Sequence, residues 1–312
     1  MEGQPLVELF SVTLNGTDSE IYLYGTITVT DGLLCQYIYD RNRNNPEPIY
    51  AGDTILLNGP PRSISAVDSF TIDVDLADEN KVSSNGEISY GQGSWNVYLT
   101  ATNEYDKPLS MDIEGKNGSV TLSYIVFSNA VEATVQVTLI HADGKNTAEV
   151  FGLITARSDK VSNESMLFWK TSNENDLQVN LNGPIPLLRS AVAVPLDSSL
   201  IIRAELSNRE RETNSNKEIA HDEIVFAPYL SARRSLQNNL AQVPPHSYPT
   251  ASRSHPSVRQ QPATRTTFFI ATVTSGNTHT LDHSSRGIRS LSSESAGDVV
   301  VRSSVLFGSS VE

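Results

Sequence analysis

The side chains able to do chemistry are few and scattered. The one cysteine, Cys35, sits in an apolar run, Leu33-Leu34-Cys35-Gln36-Tyr37. A cysteine nucleophile needs a base beside it, and the spacing of His141 and His221 pairs neither with Cys35. The expectation is a buried, inert thiol. No Gly-x-Ser-x-Gly elbow is present. Zinc calls for clustered Cys and His, which the chain lacks. Asp73 and Asp75 share one face of an alternating run, with Asp78 and Glu79 just beyond, a grouping that could hold calcium. A solvated strand face explains the same residues. Gly91-Gln92-Gly93-Ser94 is too short for a phosphate loop, and no helical pattern follows it. The sequence therefore offers no catalytic residue, no cofactor site and no metal site.

Aromatic residues are the remaining candidates. Tyr22, Tyr24, Tyr37, Tyr39, Trp95, Tyr98 and Trp169 could stack on sugars. In strands such residues also serve cross-strand packing. A formal net charge of −13 repels a phosphate backbone, so nucleic acid is an unlikely partner for the acidic body. A protein or a glycan is the expected partner.

These side chains must be positioned by strands. Phe70, Ile72, Val74 and Leu76 alternate with Thr71, Asp73 and Asp75, and the same period of two runs through 10–14, 21–30 and 133–139. Shorter candidates are 33–39, 54–57, 95–101, 120–127, 150–155, 166–169, 177–181, 190–194, 200–206 and 223–226. Asn-Gly and Asp-Gly pairs, at Asn15-Gly16, Asp31-Gly32, Asn117-Gly118 and Asp143-Gly144, punctuate them. No stretch holds helical periodicity for three turns; 205–218 reads as a polar loop or long hairpin tip. The pattern predicts an all-β fold, an antiparallel sandwich or a barrel.

The chain also repeats itself. Leu57-Asn58-Gly59-Pro60 recurs as Leu181-Asn182-Gly183-Pro184. Tyr24-Gly25-Thr26-Ile27-Thr28 answers to Phe151-Gly152-Leu153-Ile154-Thr155, and 68–76 to 197–206. The expectation is two duplicated halves, approximately 6–81 and 120–210, sharing one core across a pseudo-two-fold. Gly59 and Gly183 are expected to supply positive φ, with Pro60 and Pro184 ending a strand.

Composition shifts near residue 232. The segment 232–312 carries eight Arg, no Lys and four acids, against a strongly acidic body. Its Ser, Arg and Pro content predicts a disordered or aberrant tail after a β-domain at 1–231. Two apolar islands, 268–273 and 299–307, have no visible partner in the tail. The N-terminus lacks signal-peptide features and no apolar run reaches about 18 residues. The expectation is a chain of the cytoplasm, or the nucleus, with no membrane partner. The sequons at Asn15, Asn117 and Asn163 then read as chance.

The order of these blocks resembles a plant family, abundant in grasses, known as a domain of unknown function. It is found alone or as the C-terminal part of cereal jasmonate-induced ribosome-inactivating proteins. The resemblance rests on Val7-Glu8-Leu9-Phe10, Tyr24-Gly25-Thr26-Ile27, Tyr37-Ile38-Tyr39-Asp40-Arg41, Leu57-Asn58-Gly59-Pro60, Val150-Phe151-Gly152, Val192-Ala193-Val194-Pro195 and Glu223-Ile224-Val225-Phe226. It covers roughly 6–230 and implies a domain without assigned activity. Ribosome-inactivating enzymes use a Glu and an Arg three positions later on one helical turn. The nearest match, Glu132-Ala133-Thr134-Val135, has valine where arginine is required and alternates like a strand. A non-enzymatic binding or accessory module, of the kind that serves stress or defence, is therefore the leading expectation. The alternatives are a ribosome-inactivation-associated protein and a carbohydrate-binding module.

Overall fold

Every regular element of the computed structural model, which describes residues 3–16, 19–81, 86–99, 104–139, 146–172, 177–210, 215–226, 268–276 and 301–308, is a β-strand. The first sheet orders β3 (Cys35–Arg41), β2 (Ile21–Thr30), β6 (Phe70–Asp78) and β7 (Glu87–Trp95), with β4 (Glu47–Ile49) also on β2. A second sheet orders β11 (Ser165–Lys170), β10 (Thr147–Ser158), β14 (Leu200–Glu210) and β15 (Ser215–Phe226), with β12 (Leu177–Asn180) also on β10. The third sheet runs through both halves. Its spine is β9 (Ser119–Leu139), 21 residues long, which pairs with β1 (Gln4–Asn15), β8 (Pro108–Glu114), β13 (Ala191–Pro195) and β16 (Phe268–Gly276). β5 (Ile64–Ser65) lies on β1, and β17 (Val301–Gly308) on β16. All pairings are antiparallel, as the alternation predicts.

Strand order and pairing repeat between the two halves. β2 and β10 correspond, as do β3 and β11, β4 and β12, β5 and β13, β6 and β14, and β7 and β15. Gly25 pairs with Leu76 and Arg41; Gly152 pairs with Leu206 and Lys170. Irregularities recur in matching places, between Ile27 and Thr28 and between Ile154 and Thr155. Leu76/Ala77 and Leu206/Ser207 form a second matching pair. Tyr22 N donates to Asp78 Oδ1, and Glu149 N to Asn208 Oδ1. Shared defects of this kind point to a copied backbone, because bulges are specific to a strand's local sequence and packing.

Two expectations about that repeat need correction. The halves do not share one core. Val7, Leu9, Ile27, Phe70 and Leu122 pack in one cluster, and Val135, Ile154, Phe168, Leu200 and Ile224 in another. A small third cluster, including Leu6, Phe10, Ile125, Phe127 and Ala193, lies along β1, β9 and β13 where the units meet. Each unit has two facing sheets and can bury its own apolar faces, so no common interior is needed.

The twin Leu-Asn-Gly-Pro motifs also occupy unrelated places. Gly52 N donates to Leu14 O, as Asn182 N does to Leu139 O; Ile55 N donates to Val12 O, as Ile185 N does to Val137 O. Asn182 therefore stands where Gly52 stands, and these two carry the positive φ, 61° and 91°. Neither Gly59 nor Gly183 does. Asn58 N donates to Ile38 O, as Leu188 N does to Leu167 O, so Asn58 corresponds to Leu188. Asn58 also seals the open edge of β3, its side chain accepting from Asp40 N and donating to Asp40 O. Gly59 follows because a Cβ there would overlap the Tyr37 carbonyl oxygen. The Gly59-Pro60 bond is cis. Asn-Gly-Pro suits many tight corners, and two corners reached the same tetrapeptide by different routes.

The expected strand at 54–57 is replaced by an isolated bridge at Thr54, and β7 ends at Trp95, with a turn over 96–99 where a strand was expected to 101; residues 100 and 101 lie outside the described residues. β7 and β8 were not foreseen as strands. Of the tail, only β16 and β17 are described, and they join the two apolar islands to one another and to β9. The rest of 232–312 lies outside the described residues.

Two polar clusters hold the frame. Asp31, whose side chain is fully buried, accepts from Arg62 through both carboxylate oxygens, at 2.8 and 3.0 Å, and from the amides of Leu33, Leu34 and Ser65. Burial raises its carboxyl, but Arg62 and the Ser65, Leu34 and Leu33 amides outweigh burial and hold it below the usual aspartate range. A depressed folded value means stability present above the unfolded value of about 3.9 and lost as pH falls through the folded value. Asp31→Asn is expected to cost about 2 kcal/mol at pH 7, with the gap to wild type closing below about pH 3.9. Urea melts at pH 7 and pH 3 measure this; a pH-independent difference contradicts it.

At the junction, Glu8 on β1 accepts from Ala193 N at 2.6 Å and from the Ser165 hydroxyl, and lies 3.6 Å from Arg189. Burial pushes the Glu8 carboxyl up, against the pull of Arg189, Ser165 and Ala193. Glu8 belongs to the first unit, and its three partners to the second.

Candidate functional site

The outer face of the first unit's sheet holds an open groove of about 360 Å³. Its polar lining is Thr26 and Thr28 from β2, Asp73 and Asp75 from β6, and Tyr90 and Gln92 from β7. The pleat fixes which residues reach this face. Ile27, Val29, Ile72, Val74 and Leu76 are buried in the core, so their neighbours point outward.

Register orders the groove into two rows. Tyr37, Thr28, Asp73 and Gln92 lie side by side across β3, β2, β6 and β7. The next row is Asp40, Thr26, Asp75 and Tyr90. Gln92 Nε2 donates to Asp73 Oδ1 at 2.8 Å, which fixes both side chains. Tyr37 and Tyr90 are 56% and 65% exposed. They stand at opposite edges of the sheet, three strand spacings or about 14 Å apart across the strands, and in successive rows along them. No Lys or Arg lines the groove.

Gly91 and Gly93 serve packing, not phosphate binding. A Cβ on Gly93 would overlap Met111 Sδ, and one on Gly91 would come within 3.2 Å of Ile113 Cγ2. Bare backbone on β7 lets β8 lie close. The Gly-x-Gly spacing thus hid a strand whose alternate positions carry Tyr90 and Gln92. A period-two reading of 87–95 would have found them.

The equivalent face of the second unit is built differently. Arg203 replaces Asp73 and is hydrogen-bonded to Glu205, which replaces Asp75. Arg157 lies 3.8 Å from Glu164 and 3.7 Å from Glu223. His221 takes the place of Tyr90, opposite Glu205. Ion pairs cover this face, so its chemistry differs from that of the first unit's groove.

The candidates from sequence are dispersed. Trp95 is 4% exposed, with its ring stacked on Phe70 at 5.7 Å and edge-on to Tyr105. Tyr39 is buried and donates to Leu23 O. Neither can meet a ligand, and Trp95→Ala would test the core. Tyr24 lies under the Arg43 guanidinium. Tyr22, Tyr98 and Trp169 are exposed but do not line the groove. Cys35, expected to be buried, is exposed. The irregularity beside Thr28 resets the alternation of β3, so Gln36, Ile38 and Tyr39 turn inward and Cys35 and Tyr37 outward. His141 lies outside the described residues, and exposed His221 is on β15, in the other unit.

Asp78 is turned away from Asp73 and Asp75, buried and engaged with the Tyr22 and Asn80 amides. No group of three or more metal-binding side chains occurs among the described residues. Glu132 and Val135 lie on β9, with Glu132 accepting from Ser63 N at 2.7 Å, so this Glu-x-x-Val stretch is strand and not a helical turn. No helix among the described residues is long and apolar enough to cross a membrane.

No curated protein matches the chain. Among solved structures, human GIVD cytosolic phospholipase A2 aligns with a TM-score of 0.23 and 7% identity, over 73% of this chain and 27% of that one. The chain thus spans about a quarter of that protein's length. The family model for a domain of unknown function, DUF6598, matches residues 6–242, which include β2 to β15 whole and all of β1 but its first two residues. The chain belongs to the DUF6598 family.

Proposed function

We propose that this domain is a non-catalytic binding module whose ligand lies on the outer face of β3-β2-β6-β7, and that the ligand is a neutral glycan. The observation that carries the reading is the groove walled by Tyr90, with Asp73 held by Gln92 in its floor and exposed Tyr37 in the same residue row beyond Thr28. Carboxylates and an amide are the acceptors and donors that sugar hydroxyls need. Tyrosine rings offer apolar faces with a polar tip. A lining without cations disfavours phosphate and sulfate groups. Both aspartates rise from one strand toward the same side of a ligand, whereas glycoside hydrolysis needs carboxyl groups flanking the bond.

The family resemblance extends the proposal to an accessory role in plant stress or defence, in grasses, with the chain in the cytoplasm or nucleus. Tyr90→Ala and Asp73→Ala are each expected to weaken glycan binding about tenfold, a loss of about 1.4 kcal/mol. Both side chains sit on the outer face, so the thermal unfolding midpoint should barely move. Titration calorimetry with hits from a glycan array measures the loss. Wild-type protein that binds nothing on a broad array overturns the proposal.

A further inference from the structure

The two units cover one edge in the same way but obtain the cover from different parts of the chain. In the first unit the sheet order is β5, β1, the first half of β9, then β8. In the second it is β13, the second half of β9, β16, then β17. Val12 corresponds to Val137 and Leu14 to Leu139 by their backbone bonds. Leu122 and Val120 pair with the first two, and Ala271 and Phe269 with the second two. The third strand of each set thus lies at the same register on the same edge.

Chain order does not explain this. In the first unit the outer strand, β8, comes before its inner neighbour. In the second the inner strand, β16, comes first, and 41 residues separate β15 from it. Strand directions are nevertheless the same, because every pair is antiparallel. A position filled by two different connections is set by the edge and not by the connection. That edge carries Val135, Val137 and Leu139, all buried. An uncovered strand with such a face recruits another strand. The family match ends at 242, before β16, so the edge is part of the family domain and the covering pair is not.

We propose that residues 133–139 form a strand-acceptor site, and that the β16–β17 hairpin of this chain is its occupant, held by ladder pairing and needing no covalent tether. The full-length chain with a protease site inserted between 232 and 266 provides the test. After cutting, the C-terminal fragment should co-elute with the body on size exclusion, and a labelled peptide of residues 266–310 should exchange into the complex. Thr272→Pro, opposite Gln136 in the ladder, should reduce retention at least about tenfold, the worth of one such bond. The uncut Thr272→Pro chain, with an unchanged sheet spectrum, serves as the folding control. A fragment that leaves the body on cutting, with the body still monomeric and its unfolding midpoint unchanged, overturns the proposal. So does a body that pairs with a second copy while the fragment stays free.

Discussion

Arg189→Met is expected to lower the unfolding free energy by about 3–5 kcal/mol, more than any other single surface-neutral change at the junction of the units. The substitution keeps the bulk of the side chain and removes its charge. Glu8 then remains among Leu6, Phe10 and Ala193 with no cation, and its carboxylate must take up a proton or draw in water. Arg189 also donates to Met166 O, so that carbonyl loses a partner as well. Removing both charges should be milder: Glu8→Leu with Arg189→Met is expected to recover more than half of the loss, because replacing a buried pair with apolar groups is often neutral. Equilibrium urea melts of the three variants form the cycle. A single-variant loss below about 1 kcal/mol, or no recovery in the double variant, would show that the pair carries no buried charge.

Gly25→Ala and Gly152→Ala are each expected to cost about 3 kcal/mol or more, and to cost nearly the same. The two glycines have φ of 123° and 125°. A Cβ on the first would overlap the Asp75 carbonyl oxygen, and on the second the Glu205 carbonyl oxygen. Both obstacles are backbone within a neighbouring strand, which cannot swing aside as a side chain can. Gly52→Ala is the control. Its φ is 91°, yet nothing lies within 4 Å of the new atom, so only backbone preference is lost, about 1 kcal/mol. Thermal melts rank the three. A Gly52 variant as damaged as the other two would falsify the steric account.

These twin glycines also mark what could be read from the chain in advance. Tyr24-Gly25-Thr26-Ile27 and its partner block were aligned from sequence, and the strands place them together, because a glycine that no other residue can replace keeps its place when a strand is copied. Strand faces were legible for the same kind of reason: burial on one side enforces a period of two along 70–76. The corners were not. Asn182 and Gly52 do one job with different residues, while Asn58 and Asn182 do different jobs with one residue. Turn chemistry is local and has several solutions, so identity there is weak guidance to equivalence.

The groove was legible only in part. Asp73 and Asp75 stood out by type, and their solvated face was foreseen. Tyr90 and Gln92 were hidden by Gly91 and Gly93, whose small size answers to Met111 and Ile113 of β8, a contact that the local pattern of 87–95 does not reveal. Tyr37 and Trp95 were grouped by ring chemistry, and only pairing separates them. One irregular register step turns Tyr37 outward, while Trp95 ends a strand over Phe70.

β9 is one unbroken strand through both units, and this restricts how the protein can be inherited. Most duplicated domains are joined by a spacer, where a crossover between genes leaves each part whole. Here the seam between copies falls at about residue 130, inside a ladder that serves the first core on one side and the second on the other. A breakpoint there would strip each product of a wall. The outer faces of the two units can therefore differ, as they do, while the strand they share ties each core to the other.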